Sequence, residues 1–168
     1  MRLYRRIAFI TLSVLLSLHS VAWGAEEPAA LKVGTARVEI TPEKPVQMSG
    51  YASRKDLSTG VHDPLSARVL AFEAGGERLV LVSVDILGFY GGTAEYFREA
   101  LLAEYDLEPS ELFLCAIHTH SAPTPTIDKE KGHPNNVEYT EKLRDDLVKV
   151  VGRALGRMQP AESGSGVG

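Results

Sequence analysis

His118-Thr119-His120 is the pair of side chains in this chain best placed by type and spacing to do chemistry. It follows six apolar residues, Leu112-Phe113-Leu114-Cys115-Ala116-Ile117, and is followed by Ser121-Ala122-Pro123. A short apolar run bounded by polar residues reads as a buried strand. Residues two apart on a strand point the same way, so the two imidazoles are expected to leave the sheet side by side. Such a pair can converge on one Zn2+ or flank one reacting group. Two ordinary polar residues at a strand end give the same string, and the elements that must position the pair are the next guide.

The chain has 168 residues, about one domain. Residues 1–24 read as a cleaved signal peptide. Arg2, Arg5 and Arg6 precede an apolar stretch from Ile7 to Leu18, and Ala22-Trp23-Gly24 supplies small residues for cleavage before Ala25. That apolar stretch is shorter than the ~20 residues a membrane-spanning helix needs. The expected location is therefore secreted or periplasmic. Residues 25–30 read as a flexible leader. Removing residues 1–24 takes away three arginines and no acidic residue, so the net charge goes from −4 to −7. No basic run remains, which excludes nucleic acid as a partner class. Cys115 is the single cysteine, so no intramolecular disulfide can form, and within its apolar run it reads as a small buried hydrophobe.

The mature chain reads as mixed α/β. Residues 31–40 form a first strand stopped by Thr41-Pro42, and residues 43–62 form a long aperiodic loop of the kind that is often functional. Strands at 65–73 and 78–87 are joined by the Gly-containing hairpin connection 74–77. The second is nearly all apolar, the pattern of a strand covered on both faces. A helix over 93–105, with Ala94, Phe97, Leu101 and Tyr105 in one stripe, leads back into the strand before His118. That strand–helix–strand order predicts a right-handed βαβ unit with parallel strands. A last helix over 136–158 carries a capping-box spacing at Asn135 and Glu138 and an apolar face from Tyr139 to Met158. Ligands bind beyond the carboxyl ends of parallel strands. The two strand ends put Asp85 and His118 on one rim, where Asp85 can orient an imidazole or cap the following turn. His62 ends the long loop and is expected to line the cleft, whereas His133, between Gly132 and Pro134, reads as solvated surface.

H-x-H alone serves several hydrolase classes. The metallo-β-lactamase pattern needs Asp and His where Ala122 and Pro123 stand, and amidohydrolase barrels carry the motif after their first strand, whereas here three precede it. Five segments in order fit one family: Val33–Pro42, Ser49-Gly50-Tyr51-Ala52, Val61–Arg68, Leu81–Gly88 and His118–Pro123. Together they resemble the N-terminal part of the neutral/alkaline (non-lysosomal) ceramidases. The resemblance implies a Zn-dependent amidase that cleaves the N-acyl bond of ceramide-like lipids to sphingosine and fatty acid. It implies His118 as a zinc ligand, and His120 as a catalytic residue beside the metal in contact with the substrate. The family's remaining ligands, a further His, a Glu and a Tyr, have no counterpart before Gly168. Residues 31–168 thus read as an incomplete, apparently truncated catalytic domain, a fragment expected to be inactive alone. The lipid substrate would be met at a membrane or micelle surface, with no obligate protein partner evident. Position 122 departs from the family's Gly, and Ala adopts positive φ only at a cost. The alternatives are a secreted non-catalytic binding module on the same fold, or a hydrolase of a non-ceramide amide or ester.

Overall fold

The computed structural model describes residues 30–166; the expected signal peptide and most of the expected leader lie outside them. Five strands form one mixed sheet: β1 Lys32–Glu39, β2 Ser66–Ala74, β3 Glu77–Val84, β4 Leu112–Ala116 and β5 Gln159–Pro160, in the order β4-β3-β2-β1-β5. Helices α1 (Thr93–Tyr105) and α2 (Pro134–Leu155) complete the layers. β2 and β3 pair as a hairpin closed by Gly75-Gly76, and both glycines have positive φ, as a type I′ turn demands. β3 and β4 pair in parallel through α1, as the strand–helix–strand pattern predicts, with Val84 opposite Ala116 at their carboxyl ends.

The core lies on one face of the sheet. Val69, Ala71, Val80 and Val82 pack with Phe97 and Leu101 of α1 and with Leu143, Leu147 and Val151 of α2. The expectation that β3 is covered on both faces is not met within the described residues. Its alternate residues open onto a face where Leu70, Leu79 and Phe113 are exposed. An apolar run records the hydrophobicity of both faces, but both helices pack against the same one. β4 is likewise an edge strand and not a buried one: Phe113 is 59% exposed and Ile117, just past its end, 53%, and Cys115 is only partly buried.

The start of α2 also differs from expectation. Pro134 occupies the first turn, where its fixed φ suits helix entry. His133 is the N-cap, accepting from the Asn135 N–H at 3.2 Å through Nδ1, and so has a structural task beyond surface solvation. Asn135 instead donates to the Pro45 carbonyl, and Glu138 pairs with Lys44. Both side chains that suggested a capping box hold the long loop against α2. The loop wins because it offers them partners that a helix end lacks.

Candidate functional site

The site forms where β3 and β4 end. The Ile117 N–H donates to the Val84 carbonyl, and then the chain turns: the N–H groups of His118 and Thr119 both donate to the Ile86 carbonyl, at 3.1 and 3.3 Å. His118 adopts φ 65°, one of two positive values among the described non-glycine residues. This left-handed conformation costs roughly 1–2 kcal/mol and persists only where the surroundings impose it. The imidazoles do meet, with ring centroids 5.3 Å apart and planes at 72°. Strand alternation does not bring them there, because β4 has ended at Ala116; the turn does.

His118 is exposed and its Nδ1 lies 2.9 Å from the Leu87 carbonyl oxygen. A carbonyl can only accept, so Nδ1 carries the proton, and in the neutral imidazole Nε2 keeps its lone pair. This is the tautomer and the kind of backing a metal-ligating histidine uses. His120 is half-buried and held differently. Its ring lies against Gly50, whose φ is 107° and where a Cβ would come within 2.5 Å of the His120 Cγ. Tyr51 packs edge-on to the same ring at 5.2 Å. Arg54 Nη1 donates to the carbonyls of His120 (2.9 Å) and Ser49 (3.2 Å), and its guanidinium sits 4.9 Å above the Tyr51 ring.

The long loop is thereby fastened to the histidine turn. Met48 bridges Pro123, the Thr124 N–H donates to the Gln47 carbonyl, and the Ser49 N–H donates to the Ala122 carbonyl. Buried Asn136, at the start of α2, ties both segments together by donating from Nδ2 to the Gln47 and Thr124 carbonyls. Ala122 is itself buried and has no positive φ. The left-handed residue of this turn is His118, so alanine at 122 brings no backbone strain.

Asp85 stands on the same rim, but its carboxylate turns the other way. It accepts from the N–H and hydroxyl of Ser66 (2.8 and 2.9 Å) and from Arg68 Nη1 (3.1 Å). It closes the β2–β3 end, and the histidine takes its orientation from Leu87. His62 and Asp63 line a cavity of about 570 Å3 together with Pro42, Val46, Val61 and Leu65, and Thr119 and Ser121 complete that wall. The cavity touches the residues that alternate with the two histidines. The His62 ring itself is 97% exposed, bonded to Asp63 at 2.8 Å.

Gly50, Tyr51 and His62 fall within segments that the sequence marks. Arg54 and Asn136 have no signal of their own, because each acts by reaching a residue distant in sequence; Ser66 lies in a marked segment, but nothing there points to Asp85. The length of the aperiodic loop is the one pointer to Arg54. Among the described residues, no group of three or more His, Cys, Asp or Glu side chains is placed to hold a metal ion. No helix among them is long and apolar enough to cross a membrane.

No family model matches the chain. It is 33% identical over 124 residues to the neutral ceramidase of Drosophila pseudoobscura pseudoobscura, an alignment covering 70% of this chain and 17% of that protein. The rice (Oryza sativa subsp. japonica) neutral ceramidase is 33% identical over 95 residues, covering 54% of this chain and 12% of the relative. The crystal structure of the neutral ceramidase from Pseudomonas aeruginosa superposes with a TM-score of 0.64 at 26% identity, covering 80% of this chain and 23% of that one. A ceramidase complexed with C2 gives a TM-score of 0.61, also at 26% identity, over 79% of this chain and 22% of that one. By sequence and by fold, the chain is a homologue of part of the neutral ceramidases, and it spans 17% of the curated relative from D. pseudoobscura.

Proposed function

We propose that this homologue of the neutral ceramidases acts, in its full-length form, as a Zn-dependent amidase that hydrolyses the N-acyl bond of ceramide-like lipids. The observation that carries the reading is the Nδ1 contact of His118 with the Leu87 carbonyl, which leaves Nε2 free beside His120. The donors suit zinc, but they are too few: a catalytic zinc takes about three protein ligands, and no third is at hand among the described residues. The reading therefore assigns His118 one place in a metal centre whose other ligands these residues do not supply. Bound zinc would polarise the amide carbonyl and acidify a water.

The chain's own residues have simpler tasks. The Leu87 carbonyl holds the His118 proton on Nδ1, and the Ile86 carbonyl fixes the turn. His120, beside the ligand, contacts the acyl carbonyl as its oxygen gains negative charge. Water adds across the amide, giving a carboxylic acid and a long-chain amine. Val46, Val61, Leu65 and Pro123 give the neighbouring cavity an apolar stretch beside polar residues such as His62, Asp63 and Thr119, a mixed lining that suits an amphipathic lipid. The basic and apolar pattern of residues 1–24, read as a signal peptide, supports export, where lipid would be met at a membrane or micelle surface.

The test is hydrolysis of N-acylsphingosine by the full-length protein with and without a chelator, alongside metal analysis. Activity should disappear with the chelator, and His118→Ala should lose both zinc and turnover. Chelator-insensitive hydrolysis would overturn the metal role. A zinc-free protein with no hydrolysis would favour a binding module on the same fold.

A further inference from the structure

We propose that Arg54 is the positioning residue of His120, and that the two imidazoles are held by separate devices that can be broken one at a time. The proposal rests on the hydrolytic reading of the histidine pair but adds a residue which that reading does not need. His118 is fastened to the end of β3, by its backbone to Ile86 and by its ring to Leu87. His120 has no such anchor. Among the described residues neither of its ring nitrogens is hydrogen-bonded, and its ring is located by packing on Gly50 and Tyr51.

The backbone bonds of Met48 and Ser49 to Pro123 and Ala122 bring the loop to the turn, and Arg54 is the side chain that closes Gly50 and Tyr51 onto the ring. One nitrogen, Nη1, spans the carbonyls of Ser49 and His120, the residue before Gly50 and the histidine itself. The same guanidinium lies on the Tyr51 ring. A planar cation can bond in its plane and stack on its face at once, which an ammonium cannot. Loop and turn are thus closed around the His120 ring by one half-buried side chain. Gly50 is part of the same device, since any Cβ there would occupy the place of the ring.

The experiment uses the full-length protein with Arg54→Met, Arg54→Lys and Gly50→Ala. It reads kcat and KM on N-acylsphingosine, zinc content, and the imidazole carbon–proton resonances of His118 and His120. Arg54→Met should lower kcat by about 10²-fold, the size expected when a reacting group is misplaced by about 1 Å, with KM changed less than about threefold. Zinc content and the His118 resonances should stay as in the parent, and the His120 resonances should move because the Tyr51 ring current no longer acts on them from the same place. Arg54→Lys should recover part of kcat by restoring one donor. Gly50→Ala, which keeps Arg54 but displaces the ring, should reproduce the pattern and decides the matter if Arg54→Met does not fold. Unchanged kcat in Arg54→Met, or His118 and His120 resonances moving together, would overturn the proposal. If the parent protein holds no zinc and hydrolyses nothing, the hydrolytic reading fails by itself. The resonances then decide: a shift confined to His120 sustains the positioning role, and no shift ends it.

Discussion

Asn136 and Gln47 form a reciprocal pair across 89 positions of sequence: the Gln47 N–H donates to Asn136 Oδ1 at 2.8 Å, and Asn136 Nδ2 donates to the Gln47 carbonyl at 2.8 Å. The same Nδ2 reaches the Thr124 carbonyl at 2.9 Å. One buried amide therefore holds the long loop, the segment after the histidine turn and the start of α2 in a single arrangement.

Asn136→Ala should destabilise the protein by roughly 2–4 kcal/mol, because it strands buried peptide groups and not merely one bond. Asn136→Asp should also be harmful, since a carboxylate cannot donate to the two carbonyls. Urea unfolding measures both. A loss below about 0.5 kcal/mol for the alanine variant would mean that the loop is held elsewhere.

Ala122 stands where the resemblance to the ceramidases implies glycine, yet its backbone needs no left-handed freedom. Ala122→Gly should therefore lower stability by about 1 kcal/mol, through lost burial and a more flexible unfolded chain. Turnover should stay unchanged. A gain in turnover on restoring glycine would show that the methyl group obstructs substrate.

Tyr139 is buried on α2 and its hydroxyl has no hydrogen-bond partner among the described residues. Burial, with Asp146 and Asp85 nearby, pushes its ionisation well above the usual tyrosine range. Tyr139→Phe should stabilise the protein by about 1 kcal/mol by removing an unsatisfied group. The fold keeps this phenol neutral while the unfolded chain ionises it, so stability is unaffected by it below the unfolded pKa, about 10, and falls as pH rises from there toward the folded value. The phenylalanine variant should thus lose less stability than the parent above about pH 10.

Glu111 is held below the usual carboxylate range, first by its hydrogen bond from Arg78 and then by the Glu108 N–H. A carboxyl that is more acidic folded than unfolded contributes above its unfolded pKa, and that contribution is lost as pH falls through the folded value. The stability gap between the parent and Glu111→Gln should therefore close as pH falls through and below the ordinary glutamate value, about 4.3. Chemical unfolding across that range measures it, and a gap that stays constant with pH would rule out the ion pair as the cause.

Short-range pattern determined the elements of this protein. Alternation and β-branched residues marked β1 to β3, Gly75-Gly76 marked the hairpin, the 3.6-residue stripes marked α1 and α2, and the order strand–helix–strand required β3 and β4 to run parallel. The motif segments likewise brought His118 and His120 to one rim and pointed to the ceramidases. Tertiary structure decided the rest. Which face of β3 the helices cover depends on where both helices pack, and hydrophobicity along a strand cannot record that. The start of α2 was set by Pro134 and by the loop that claimed Asn135 and Glu138. Asp85 and His118 end adjacent strands, yet Ser66 and Arg68, brought in by β2, captured the carboxylate and left the imidazole to Leu87. The left-handed turn at His118, and not strand alternation, sets the angle between the two rings. Arg54 reaches His120 across 66 positions, and no local periodicity encodes a contact that exists only after the loop has closed over the turn.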